Sequence, residues 1–512
     1  MIADKSKLIP RVCYEIFVRS FCDSNGDGIG DLKGIISKLD YLADLGIEAI
    51  WLTPVHPSPS YHKYDVVDYF GIEPEYGTIY DFRRLLYEAH KRKIEIYLDL
   101  IVNHTSTLHP WFTEARKSAD NRFREFYWWM TPPQIETLGL AERETSDDSQ
   151  VVYPWHDNQE DQEKYYGLFY VGMPDLNYHS PALRTELEKI IDFWLVEIGV
   201  DGFRLDAARH IYPEWEKQHS LEFWDFFAGL IKKSNPNAFT VGEVWAETEE
   251  VAPYFNHLDA TFHFDLSFAL QRILISERDE NLVEKLLESY TLFAQYNPHF
   301  IDAIMLTNHD QERIGSVVEN HQEKIKLAAS MLLTLPGQVY IYYGEEIGML
   351  GSKPDPHIRE PFLWSDNEED TKEITHWIDA KFTTTKTVKP LSRQTGDPHS
   401  IYCHYRSLIH LRKKQPALGQ IFEPNLASVN LYDDQLMAFL RTHESSPLLV
   451  IHNLSGLKKQ ITLPGILSDF RHVIFSNDPG IFGQFTGGNL SAYSSLILAA
   501  NPEQADSPLI GQ

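Results

Sequence analysis

The stretch "GVDGFRLDAARH", residues 199–210, decides the architecture. It follows a helix-period segment, "LRTELEKIIDFWLVEIG", that closes on Gly199 as helix ends prefer. Its first half reads as a buried strand, yet its end carries Arg204, Asp206, Arg209 and His210. Similar apolar runs, rich in β-branched and aromatic residues, recur at 12–21, 47–55, 94–102, 238–245, 258–265, 301–310 and 338–346. With 199–207 they make eight, and helix-period segments lie between most of them. Eight strand-then-helix units predict an α/β fold, a (β/α)8 TIM barrel, whose site is built where strands end.

One spacing is irregular. Between His104 and Gly199 lie far more residues than a loop and a helix need, rich in Trp, Tyr, Pro and Asp ("FYWWMTPP", "YPWHDNQEDQEKYYGLFYVGMPDLN"). Such aromatic content argues against a structureless loop and for a small inserted domain over the barrel mouth. After about residue 418 the pattern changes to alternating strand-like runs ("LMAFLRT", "PLLVIHNL", "SSLILAA"), which predict a C-terminal antiparallel β-sandwich. The expected boundaries are 1–103 and 176–417 for the barrel, 104–175 for the insertion and 418–512 for the sandwich.

Composition limits the partners. Against 46 basic residues stand 74 acidic ones, a formal charge of -28, which argues against a nucleic-acid groove or an anionic membrane surface and favours a neutral or cationic partner. The three cysteines, Cys13, Cys22 and Cys403, form no C-x-x-C pair, so neither a disulfide framework nor a structural zinc site is readable. The first residues contain no apolar leader core and no run of eighteen apolar residues occurs. A cytoplasmic protein is the default expectation, or a secreted one if a leader has been removed.

The strand ends share a chemistry. His104 follows the third strand, Arg204 and Asp206 end the fourth, Glu243 the fifth, and His309 and Asp310 the seventh. On a barrel these should face one mouth, and six polar groups there are explained together by a site. Three carboxylates with an Arg and two His suggest glycoside hydrolysis, in which one ionised carboxylate meets an oxocarbenium-like centre and one protonated carboxyl serves the leaving oxygen. Acyl transfer fits less well, because no G-x-S-x-G elbow is present.

Four stretches in register, "DLIVNH" (99–104), "GFRLDAARH" (202–210), "VGEVW" (241–245) and "LTNHD" (306–310), resemble the signature regions of the α-amylase family, glycoside hydrolase family 13. The resemblance spans nearly the whole chain. It implies that Asp206 is the nucleophile, Glu243 the general acid and base, and Asp310 the third carboxylate. Retention of configuration would follow, with Asp206 and Glu243 about 5–5.5 Å apart. Arg204 would keep the nucleophile ionised, His104 and His309 would bind sugar hydroxyls, and Tyr64 would stack on the sugar. Lys63 stands where the family usually has Gly before that Tyr. Arg209 and His210 match the acceptor side, and Asp355 and Arg359 the donor side, although an i,i+4 surface salt bridge explains the last pair nearly as well.

"DSNGDGIGDL", 23–32, places Asp23, Asn25, Asp27 and Asp31 at positions 1, 3, 5 and 9 of a calcium-loop pattern, with Gly28 at 6 and the Ile29 carbonyl at 7. It resembles the metal loop after the first strand in oligo-1,6-glucosidases and implies a structural Ca2+. "MPDLN", 173–177, resembles the fifth signature region in its intermediate form, and Ala207 after the nucleophile leans toward α-1,4 bonds. The expected activity is therefore that of an α-amylase on starch, maltodextrin or cyclodextrin, with transglycosylation as a companion reaction. An exo-acting α-glucosidase or oligo-glucosidase, a trehalose synthase-like isomerase and a non-catalytic glucan-binding protein remain alternatives.

Overall fold

The computed structural model describes residues 9–144, 151–367, 370–422 and 425–504. Eight parallel strands close into a barrel: β1 (Val12–Ile16), β2 (Ala49–Leu52), β3 (Glu95–Leu100), β4 (Gly202–Leu205), β5 (Phe239–Gly242), β6 (Ala260–Phe262), β7 (Ile301–Met305) and β8 (Gln338–Tyr342). Sequence neighbours are spatial neighbours, and β8 returns to β1. The strands are buried almost throughout, as parallel strands covered by helices must be, and this is why they read as continuous apolar runs.

The strands are shorter than their apolar runs. Gly199, also read as the first residue of the fourth apolar run, closes the preceding helix as expected, in the left-handed region (φ +88) after a π-helical turn over Phe193–Ile198, and the strand begins only at Gly202. Asp206, Glu243, His309 and Asp310 consequently lie just past the strands, on the loops.

By contact density the chain divides into two units. One holds residues 51–91 and 95–262. Within it Asp99 on β3 pairs in register with Arg204 on β4, and Leu205 with Gly242 on β5. Gly202 is required there, because a Cβ would stand 2.2 Å from the Phe239 carbonyl oxygen of β5. The segment after β3 carries a three-stranded sheet (Trp129–Met130, Lys164–Tyr166, Trp155–Asp157) with its own apolar cluster of Ile135, Trp155, Tyr166 and Leu168. Residues 172–176 run beside the end of β3: Thr105 N donates to Pro174 O (3.2 Å), Leu176 N to Asn103 O (2.9 Å) and Thr107 N to Gly172 O (2.9 Å).

The other unit holds residues 9–50, 92–94 and 263–504 of the described chain. Helix Leu32–Leu45 opens on Asp31, whose side chain accepts from Gly34 N, and stops at Gly46 (φ +103). At the C-terminal end a five-stranded antiparallel sheet and a two-stranded one enclose a core that includes Leu449, Ile451, Ile461, Leu490 and Leu496. Among the described residues no helix is long and apolar enough to cross a membrane.

Candidate active site

In the first unit the centre is Arg204, wholly buried. Its Nη1 donates to Asp99 Oδ1 and Oδ2 (2.8 and 2.9 Å) and to Asp206 Oδ1 (2.8 Å). Its Nη2 makes a 2.7 Å ion pair with Glu243 Oε2, outside hydrogen-bond geometry. Burial alone would lower the guanidinium's pKa, but Asp99, Glu243, Tyr64 and Asp206 more than offset it, and the value is held above normal. The cation also lies over the Trp51 ring, 4.9 Å from its centroid. Three carboxylates thus share one fixed cation.

The backbone sets the two expected catalytic carboxyls at one level. Continuing the β4–β5 register past Leu205 and Gly242 brings Glu243 opposite Asp206, and Glu243 N donates to Leu205 O (3.0 Å). Glu243 Oε2 also accepts from Ala207 N at 3.1 Å. Ala207 takes φ +46, a left-handed conformation that a non-glycine residue adopts only where its surroundings impose it. Asp206 is 7% exposed and Glu243 9%, so both retain a narrow opening.

Around them stand the expected sugar-binding groups of this unit. Tyr64 donates its hydroxyl to Asp99 Oδ2 (3.1 Å). His104 is buried, and burial pushes its pKa down against the upward pull of Asp206. Phe169 packs edge-on against both His104 and His210, 5.7 and 5.5 Å away. Arg209 grips Glu250 with Nε and Nη2 (2.9 and 3.1 Å) and reaches the Trp245 carbonyl with Nη1. Lys63 has φ +66, the geometry that glycine favours, and its buried ammonium pairs with Glu73 at 3.0 Å and Glu75 at 3.3 Å. The substitution therefore keeps the turn and turns the cation onto an acidic pair.

In the second unit His309 is the centre. Its Nδ1 meets Glu15 Oε1 at 2.5 Å and its Nε2 meets Asp310 Oδ2 at 3.2 Å. Burial acts to lower its pKa, but Asp310 and Glu15 overrule it and raise the imidazole to about 10. Arg359 donates Nη2 to Asp310 Oδ1 (2.6 Å) and Nε to the His309 carbonyl (2.8 Å). Asp355 is a looser partner of Arg359, at 3.5 Å, and takes a 2.6 Å bond from Lys353. The i,i+4 pair exists, but Arg359 is committed chiefly to the Asp310 loop.

Also in this unit, the 23–31 loop curls through Gly26 (φ +83) and Gly28 (φ +88). Asp23 accepts from Asn25 N, Gly26 N and Gly28 N; Asp27 from Ile29 N; Asp31 from Ser24 and Gly34 N. The hydrogen-bond partners of these carboxylates are amides and a hydroxyl, and Asp23 and Asp31 are buried. An all-oxygen donor set held only by dipoles fits a hard cation. The three carboxylates do not all place an oxygen within 4.8 Å of one another, so an ion would have to draw at least one of them in.

Glu15 and Asp99 were not among the residues expected from the sequence. Glu15 is the lone acid of β1, and Asp99 is the one acid of β3 beyond its first residue, Glu95; a carboxylate inside an apolar run is the signal that could have found each.

Comparison with known proteins bears on this geometry. Residues 15–420 match the family described as "Alpha amylase, catalytic domain", and 436–497 match "Alpha-amylase SusG C-terminal domain". The chain belongs to the α-amylase family, glycoside hydrolase family 13. It is 41% identical to Alpha-amylase 3 of Dictyoglomus thermophilum over 87% of this chain and 85% of that one. It is 34% identical to a 4-alpha-glucanotransferase of Thermotoga neapolitana over 86% and 95%. The crystal structure of an α-amylase from H. orenii superposes with a TM-score of 0.86 at 37% identity, covering 95% of this chain and 99% of that one. The barrel and the C-terminal antiparallel sheet are those of this family's structures.

Proposed function

We propose that this family-13 enzyme is a retaining α-1,4-glucan hydrolase, an α-amylase acting on starch and maltodextrins. The observation that carries the reading is the Arg204 cluster, in which one guanidinium holds Asp206 and Glu243 on separate nitrogens beside a third acid, Asp99. Asp206 attacks the anomeric carbon while protonated Glu243 gives its proton to the leaving oxygen. Glu243, now ionised, then takes a proton from water, which displaces Asp206 and restores both groups. Arg204 keeps Asp206 charged and aimed. By the family's motifs Asp310, steadied by Arg359 and His309, is the third carboxylate, and His104 and Tyr64 are sugar-binding residues. Arg209 and His210 belong to the acceptor side and Asp355 to the donor side.

The likeness to a 4-alpha-glucanotransferase favours a second reading, in which a sugar hydroxyl replaces water in the second step. A chromatographic time course on soluble starch and maltoheptaose, with Asp206→Asn as blank, separates the two. Early mixed oligosaccharides with rising reducing ends support the amylase. Longer maltodextrins from maltoheptaose without new reducing ends overturn it in favour of transfer, and glucose alone would mean an exo-glucosidase.

The 23–31 loop is proposed to hold one structural Ca2+ through Asp23, Asn25, Asp27, Asp31 and the Ile29 carbonyl. Support comes from the buried carboxylates and the oxygen-only donors. Chelation should lower the unfolding temperature and Ca2+ restore it; an Asp27→Asn protein that responds to chelator as fully as the parent would remove the assignment.

A further inference from the structure

Away from Arg204, three side chains of the first unit are arranged as a ligand set. His179 precedes the helix Pro181–Asp192, and Glu216 and His219 sit on the 3-10 turn Glu214–His219 beyond β4. Nε2 of His179 lies 3.5 Å from Glu216 Oε2, and Nε2 of His219 lies 3.5 Å from the same oxygen. Among the described residues this is the one group of three His, Cys, Asp or Glu ligand atoms all within 4.8 Å of one another.

The distances discriminate between explanations. A ring nitrogen that donates to a carboxylate normally approaches to about 2.7–3.2 Å. At 3.5 Å both contacts are too long for good hydrogen bonds. Ligands about 2.0–2.1 Å from a tetrahedral zinc ion stand about 3.4 Å from each other, which matches the two edges measured here.

The rings are also oriented for it. His219 Nδ1 faces Glu222 Oε2 at 3.2 Å, the carboxylate–histidine pairing that fixes the tautomer and leaves Nε2 for a metal. His179 is braced by Trp128 (5.5 Å between centroids), Tyr212 (5.0 Å) and His219 itself (5.2 Å). The Gln218 amide reaches Glu216 Oε2 only at 3.4 Å and is displaceable.

We propose that His179, Glu216 and His219 bind one borderline divalent ion of the zinc type, with solvent as fourth ligand and Glu222 behind His219. The ion would join the segment ahead of helix 181–192 to the loop that follows β4. It is a structural clasp, distinct from the oxygen-only loop at 23–31.

The test uses the full chain with Zn2+ and Co2+ alone as probes. Expected results are one Zn2+ retained per chain on dialysis, a raised unfolding temperature, and visible absorption of four-coordinate Co2+. His179→Gln and His219→Gln should each lose at least tenfold in Zn2+ affinity, and Glu222→Gln about tenfold. A Co2+ spectrum of the six-coordinate aquo type in the parent protein overturns the proposal without recourse to any variant. So does a His179→Gln protein that binds Zn2+ as tightly as the parent.

Discussion

The ends of β3 and β7 each carry a histidine that the motifs cast in the same role, but their surroundings leave one neutral and make the other a cation. His104 is buried without an acid in contact strong enough to hold a proton, and its pKa falls. His309 is clasped between Glu15 and Asp310 and is a cation at neutral pH. The acids differ in parallel. Around Arg204, three carboxylates share one cation. Around Asp310, Glu15 and Asp310 meet two cations, Arg359 and His309. The first region has more acids than cations, which suits a place where a proton is stored and a cationic sugar centre develops. The second is balanced, which suits fixed recognition.

This contrast can be broken at several points. Asp206→Asn should cut turnover on maltoheptaose by about 10^4-fold or more with cooperative unfolding unchanged. Asp310→Asn leaves both groups of the covalent step in place, and it should cost less. Equal losses would mean that the balanced region is as chemical as the other.

Stability sharpens the same point. Arg204→Met strands three buried acids and should destabilise the fold by about 3–5 kcal/mol in denaturant titration. Arg359→Met leaves Asp310 a partner in His309 and should cost distinctly less. A reversed order would refute the charge count.

The next effect is read in pH. The folded value for His309, about 10, lies above its ordinary 6.5, so the stability it confers is complete below about pH 6.5 and is lost as pH rises through 10. Glu15→Gln removes one of the two acids, and the alkaline decline in unfolding temperature should then begin at lower pH. An unshifted decline would show that Glu15 does not hold the proton. Smallest of all, Arg359→Lys should lower kcat/KM about tenfold to a hundredfold, since one ammonium cannot reproduce two directed guanidinium bonds worth about 1.5–3 kcal/mol each.

What was legible in the sequence follows from what is local. Apolar runs of barrel length, with helices closing on Gly46 and Gly199, reveal the fold because each element is signalled within its own residues. Arg204, Asp206, Glu243, His309 and Asp310 stand out because a charge at the end of an apolar run is conspicuous. Glu15 and Asp99 lie inside such runs, and their partners, His309 and Arg204, are distant in sequence, so only the folded pairing gives them meaning. Arg209 was legible as a cation, but its engagement by Glu250 was not. Glu216 and His219 have the local Glu-x-x-His spacing, but His179 is distant in sequence, and only packing brings it to them.

Residues 172–176 are tied to the segment after β3 by peptide groups: the carbonyls of Gly172 and Pro174 accept, and the amide of Leu176 donates. Pro174, which has no N–H, costs this ladder nothing because only its oxygen is used. Side chains add to the seam, because the buried Asp175 carboxylate accepts from Leu168 N at 3.1 Å. Met173, Asp175 and Leu176 are buried beside that ladder, so a change in "MPDLN" registers first as packing and only afterwards as chemistry.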